Sequence, residues 1–73
     1  MNINMLKYLV ELAGYEVNPI NTNDFFMKFP KSQSTYSDLK ALKSMGLITI
    51  LNAEDDIDEI GVNQSAIDLV KNQ

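Results

Sequence analysis

The chain contains no cysteine, no histidine and no tryptophan, and all six of its basic residues are lysine. Without cysteine there is no disulfide scaffold, thiolate metal site or thiol nucleophile, and a secreted mini-protein is set aside. Without histidine there is no imidazole base and no imidazole ligand for a catalytic zinc, so enzyme chemistry of those kinds is excluded. No apolar run approaches the ~18 residues that a membrane span needs. The N-terminal stretch MNINMLKYLVELAG lacks the basic lead of a signal peptide, and Lys7 and Glu11 interrupt its apolar residues. A cytoplasmic protein is the resulting expectation.

What is present is ordinary globular material. The 73 residues, 45% of them apolar, suit one domain spanning 1–73, near the lower end of what folds without disulfides or metal. Ten carboxylates against six lysines give a net charge of −4, the reverse of a typical nucleic-acid-binding domain. The charges are unevenly placed. Lys28, Lys31, Lys40 and Lys43 fall in the central third, whereas Glu54, Asp55, Asp56, Asp58 and Glu59 crowd into six positions. The balance of charge conceals a dipolar molecule.

Periodicity divides the chain. Leu6, Leu9, Val10 and Ala13 recur at one-face helical spacing, so a first helix is expected from about Asn4 to Ala13, capped by Asn2 or Asn4 and closed at Gly14. Tyr15 to Ile20 reads as extended because Pro19 disfavours helix before it, and Val17 could serve in a short strand. A second helix starts at Asn21 or Thr22, offers Phe25, Phe26 and Phe29 to the core, and stops at Phe29-Pro30. A third begins after Lys31 or Ser32 and ends at Gly46. On a helical wheel Leu39 and Leu42, flanked by Thr35 and Tyr36, share the side that wants burial, and Lys43 falls near them. The opposite side collects Gln33, Ser34, Ser37, Ala41 and Ser44, with Lys40 at its edge. Leu47 to Leu51 and Ile57 to Val62 then read as two strands around a turn at Asn52 to Asp56, with Ile60 and Val62 on one face. Asn63 or Ser65 can cap a last short helix carrying Ala66, Ile67 and Val70.

Helix, short strand, helix, turn, helix, hairpin, helix is an α+β order that resembles the winged helix-turn-helix: a three-helix core, a β-hairpin wing and a short C-terminal helix. The likeness rests on the run Ser34-Thr35-Tyr36-Ser37-Asp38-Leu39-Lys40-Ala41-Leu42-Lys43-Ser44-Met45-Gly46-Leu47-Ile48. It is similar to small bacterial and phage winged-helix regulators, including the multiple-antibiotic-resistance regulator type. The resemblance implies a DNA-binding transcriptional regulator of a phage or mobile element, with the third helix in the major groove and Lys31, Gln33, Ser34, Ser37 and Lys40 facing duplex DNA. Glutamine can bond adenine edges, serine is permissive, and lysine reaches guanine or phosphate.

The hairpin departs from that family, whose wing tips carry lysine or arginine. Duplex DNA presents one negative charge per ~1.7 Å and would repel Glu54, Asp55, Asp56 and Asp58. The alternative is a winged helix that docks on a basic protein surface as an inhibitor or modulator, its acidic wing standing in for phosphate. A homodimer, with Ile57, Ile60 and the terminal helix as its seam, is compatible with either reading. No cofactor is expected. A calcium loop starting at Asp56 fails because Ile60 stands at its fifth position and Ile67 at its twelfth, where oxygen ligands are required. The hairpin carboxylates are the sole candidates for acid–base catalysis, and they belong to an exposed turn with no room for a cleft, so no enzyme is expected.

Overall fold

A computed structural model describes residues 1–53 and 56–73. Among them it forms α1 (Ile3–Leu12), β1 (Pro19–Ile20), α2 (Thr22–Lys28), α3 (Gln33–Ser44), β2 (Ile48–Ala53), β3 (Asp56–Val62) and α4 (Gln64–Lys71). The chain is thus a small α+β fold whose three strands make one antiparallel sheet in the order β1-β3-β2.

Local chemistry sets most element ends. Asn2, Asn21 and Ser32 each sit in extended backbone and accept first-turn N–H groups through their side chains, supplying partners that α1, α2 and α3 lack internally. Both longer helices, α1 and α3, end on a left-handed glycine, Gly14 at φ 69° and Gly46 at φ 75°. The closures are alike. Gly14 and Tyr15 N–H groups bond the Glu11 and Val10 carbonyls, and Gly46 and Leu47 N–H groups bond those of Lys43 and Leu42.

Three expectations need correction. Tyr15 is not extended: it follows Gly14 into the left-handed region at φ 59°, held by its bond to Val10. The first strand is therefore only Pro19–Ile20, and Val17 lies outside it, exposed. The hairpin turn is shorter than Asn52 to Asp56, because Asn52 pairs with Ile57 and Ala53 with Asp56. Glu54 and Asp55, between them, lie outside the described residues. Asn63 occupies the N-cap position of α4 but makes no side-chain cap bond there. Its amide instead donates to the Gly46 carbonyl at 2.9 Å, beside the Ser65 hydroxyl at 2.8 Å, fastening α4 to the end of α3.

The core joins α1 (Met5, Leu6, Leu9, Val10), Phe25, the inward side of α3 (Leu39, Leu42), the inner sheet face (Ile20, Ile48, Ile60, Val62) and α4 (Ala66, Ile67). Of the residues expected at a homodimer seam, Ile60 is wholly buried there and Ile57 half-buried. Beside this core Tyr8, Phe25, Phe26, Phe29 and Tyr36 form a chain of rings with centroids 5.2–6.4 Å apart, in stacked, tilted and edge-on pairs. Thr35, buried within α3, is satisfied by donating to the Pro30 carbonyl at 2.8 Å. No buried side-chain nitrogen or oxygen among the described residues lacks a partner.

One irregularity shapes the hairpin. Leu51 pairs with Glu59 but Asn52 with Ile57, so Asp58 is an extra residue in β3. Side chains alternate along a strand, and an inserted residue reverses which face the following ones take. Ile57, two places before Glu59, would otherwise share its exposed face. The bulge turns Ile57 inward, level with Ile50 and Asn52.

Candidate functional site

Helix α3 places its two sides differently. Thr35, Leu39 and Leu42 are buried, while Gln33, Ser34, Ser37, Lys40, Ala41, Lys43 and Ser44 are exposed. The exposed side carries no bulky apolar residue. Its one carboxylate, Asp38, is half-buried and accepts the Asn2 amide at 3.0 Å, a bond that ties α3 to the start of α1. Asn2 meanwhile caps α1 through its oxygen, with the Met5 N–H at 3.0 Å. With Asp38 drawn toward α1, the charge that α3 offers to solvent is that of Lys40 and Lys43.

Gln33, Tyr36, Lys40 and Lys43 follow one another at helical spacing and form one wall of a groove. The opposite wall is the inner side of the hairpin beyond the core: Ile50, Asn52 and the inward-turned Ile57. The space between holds about 280 Å³. Its floor is apolar and its rim carries two ammonium groups and two amides. The wheel angle of Lys43, near Leu39, suggested a buried-side residue. Its flexible stem instead takes the charge to the groove's edge.

The candidate residues divide into three groups. Gln33 and Lys40 belong to the groove, and Ser34 and Ser37 to the adjoining outer face of α3. Lys31, in the turn between α2 and α3, is engaged elsewhere. Its ammonium lies 3.1 Å from Asp56 Oδ1 and 5.2 Å from the centre of the Phe26 ring. Lys28 similarly lies over Tyr8, 4.4 Å from the ring centre. The Lys31–Asp56 contact is the one ion pair among the described residues. It fastens the base of the acidic hairpin to the turn that starts α3. Lys31, followed by the Ile57 N–H, holds the Asp56 carboxyl below its ordinary pKa of 3.8. Both partners are largely exposed, so screening by water keeps the pair weak.

Of the acidic candidates, Asp56 is thus partnered, and Asp58 is exposed at the bulge. Glu54 and Asp55 lie outside the described residues. Among those described, no three carboxylates gather into a group that could hold a metal ion, and no helix is long and apolar enough to cross a membrane.

Sequence reasoning missed the groove's second wall. Gln33 and Lys40 were legible as exposed polar residues, but Tyr36 read as core, Ile50 as an undistinguished strand position, and Ile57 as part of a homodimer seam. The stripe at 33, 36, 40 and 43 was the available signal. Nothing in strand periodicity could announce the bulge that brings Ile57 round to meet it.

No protein-family model, characterised protein or solved structure matches the chain.

Proposed function

We propose that this chain is a winged helix-turn-helix domain that binds duplex DNA through α3, as a small transcriptional regulator of the phage or mobile-element kind. The observation that carries the reading is the exposed side of α3. It is free of bulky residues, bears Gln33, Ser34, Ser37 and Lys40 in the open, and is backed by Leu39 and Leu42 locked into the core. A rigid helix with a small polar outer surface can enter a major groove ≈ 12 Å wide without displacing core residues. The strand order β1-β3-β2 and the hairpin after α3 agree with the same reading.

In this arrangement Gln33 and Ser37 read base edges, and Lys40 and Lys43 contact phosphate. Lys31 contributes less than its place in the sequence promised, because Asp56 already neutralises it. Two phosphate contacts correspond to a shallow salt dependence, about a tenfold loss of affinity between ~50 and ~200 mM salt.

A second reading is favoured by the Lys31–Asp56 pair itself. That contact puts the base of the acidic hairpin beside the α3 turn instead of away from it. A wing so placed would repel a phosphate backbone and suit a basic protein surface, with Glu54, Asp55, Asp56 and Asp58 as the contact.

Fluorescence anisotropy with genomic and random duplex fragments at the two salt concentrations separates these readings. Salt-sensitive binding that narrows to particular fragments, and that Lys40→Glu with Lys43→Glu weakens about 10- to 100-fold, supports DNA recognition. Absence of binding at ~50 mM salt overturns it. Capture of a basic partner that is lost on neutralising the four hairpin acids then supports the protein-docking reading.

A further inference from the structure

The sheet ends on β2, whose outer edge has no neighbouring strand. Two hydrogen bonds orient that edge. Val62 N–H donates toward β1, to the Asn18 carbonyl at 3.2 Å, and Asn63 N–H donates to the Leu47 carbonyl, which continues into β2, at 3.0 Å. Alternation along an antiparallel ladder then points the backbone groups of Thr49 and Leu51 at β3, and those of Ile48 and Ile50 at the open edge. No loop backbone or side chain among the described residues bonds to Ile50.

Exposed edges are ordinarily blunted by lysine, proline or an inward charge. The strand Ile48-Thr49-Ile50-Leu51-Asn52-Ala53 has none of these. Leu51, on the outer face, is 59% exposed, and Ile50, on the inner face, is only half-buried. The bulge beyond Leu51 limits regular pairing to Ile48–Leu51.

We propose that this edge pairs with the same edge of a second copy of the chain, antiparallel and centred on Ile50, so that two three-stranded sheets become one of six. This goes beyond the DNA-binding reading and does not depend on it. Three features select a second copy over another partner. The register is self-complementary: Ile50 faces Ile50 of the partner subunit, and Leu51 of each copy packs against Thr49 of the other, covering the exposed leucine. Charge points the same way. A basic protein would be drawn to the acids of β3 (Asp56, Asp58 and Glu59), whereas β2 lets two chains of net charge −4 meet on an uncharged strand. Closure is the third. At the sheet's far side β1 is two residues long and begins with Pro19, so pairing stops at two copies and does not propagate.

The chain's lack of cysteine makes a direct test available. Thr49 and Leu51 of the partner subunit would form a non-hydrogen-bonded pair with Cα atoms about 4.5 Å apart, within disulfide range. Like residues (Thr49 with its own copy, Leu51 with its own copy) fall on diagonals beyond it. Thr49→Cys and Leu51→Cys proteins, mixed and mildly oxidised, should give a covalent dimer that neither gives alone. In light scattering over a concentration series, the wild-type mass should rise toward twice the 8.2 kDa of one chain. Leu51→Lys should hold it at one chain with an unchanged far-UV spectrum. A chain monomeric at every concentration overturns the proposal. So does a dimer that Leu51→Lys leaves intact, or one in which the single-cysteine proteins crosslink as well alone as mixed.

Discussion

Helix α3 and the β2–β3 hairpin each send one face into the same core, and they show solvent opposite charges. On α3 the only carboxylate is tied back to Asn2, and two lysines remain outward. On the hairpin Asp56 is paired with Lys31, Asp58 and Glu59 remain outward, and lysine is absent from both strands. A net charge of −4 averages these into an acidic protein and hides that the two surfaces stand side by side. The groove between them is where they meet, and Lys31, in the turn before α3, makes the one ion pair to the hairpin among the described residues. The difference teaches that a surface's partner is set by which charges remain unspent after folding. The composition counts all of them alike.

The largest effect should come from confusing the two sides of α3. Leu39→Ala removes a wholly buried side chain and should cost about 2–5 kcal/mol of stability in denaturant unfolding. Ser37→Ala, on the exposed side, should stay within about 0.5 kcal/mol while weakening DNA recognition. If the serine proved as costly as the leucine, the division of α3 into a packed and a presented face would fail.

Reversing the presented charge comes next. Lys40→Glu with Lys43→Glu should lower DNA affinity by about 10- to 100-fold and flatten its salt dependence, with the unfolding midpoint nearly unchanged. Charge reversal on the hairpin, Asp58→Lys, should strengthen binding modestly if the wing faces DNA. A loss of affinity there would place the partner's contact on the acidic side.

The start of α3 offers a smaller effect. The Ser32 hydroxyl accepts the Thr35 N–H at 3.1 Å and lies 3.2 Å from the Thr35 hydroxyl. Ser32→Ala should cost about 1 kcal/mol, and Ser32→Asp should recover most of it, read by thermal unfolding.

Smallest is the effect of the Lys31–Asp56 ion pair. Because Lys31 holds the Asp56 carboxyl below 3.8, the folded state gains from this group above that pH and loses the gain as pH falls through the lowered value. Carbon-detected NMR titration should show Asp56 titrating below 3.8, and Lys31→Met should return it toward the ordinary value. Unchanged titration in that variant would remove Lys31 as the cause.

Much of the fold was legible because its boundaries are made by neighbours in sequence. Gly14 and Gly46 end helices since glycine takes the left-handed backbone at no steric cost. Pro30 stops α2, and Asn21 and Ser32 reach N–H groups two or three residues away. The exposed residues of α3 were legible for the same reason, since helical spacing alone assigns them a side. Tyr15 was misread because its left-handed turn depends on a bond back to Val10 that no residue-by-residue preference foretells.

The sequence by itself determined where the helices run, that a hairpin follows α3, which side of α3 is packed, and that the hairpin is acidic. These follow from interactions within a few residues. Tertiary structure alone decided that Asp38 is held by Asn2, 36 positions away, and that Lys31 is spent on Asp56, 25 positions away. It also decided that one inserted residue at Asp58 turns Ile57 toward α3 and completes the groove. Each depends on a distance between segments or on the register of two strands, and neither is defined until the chain has closed on itself.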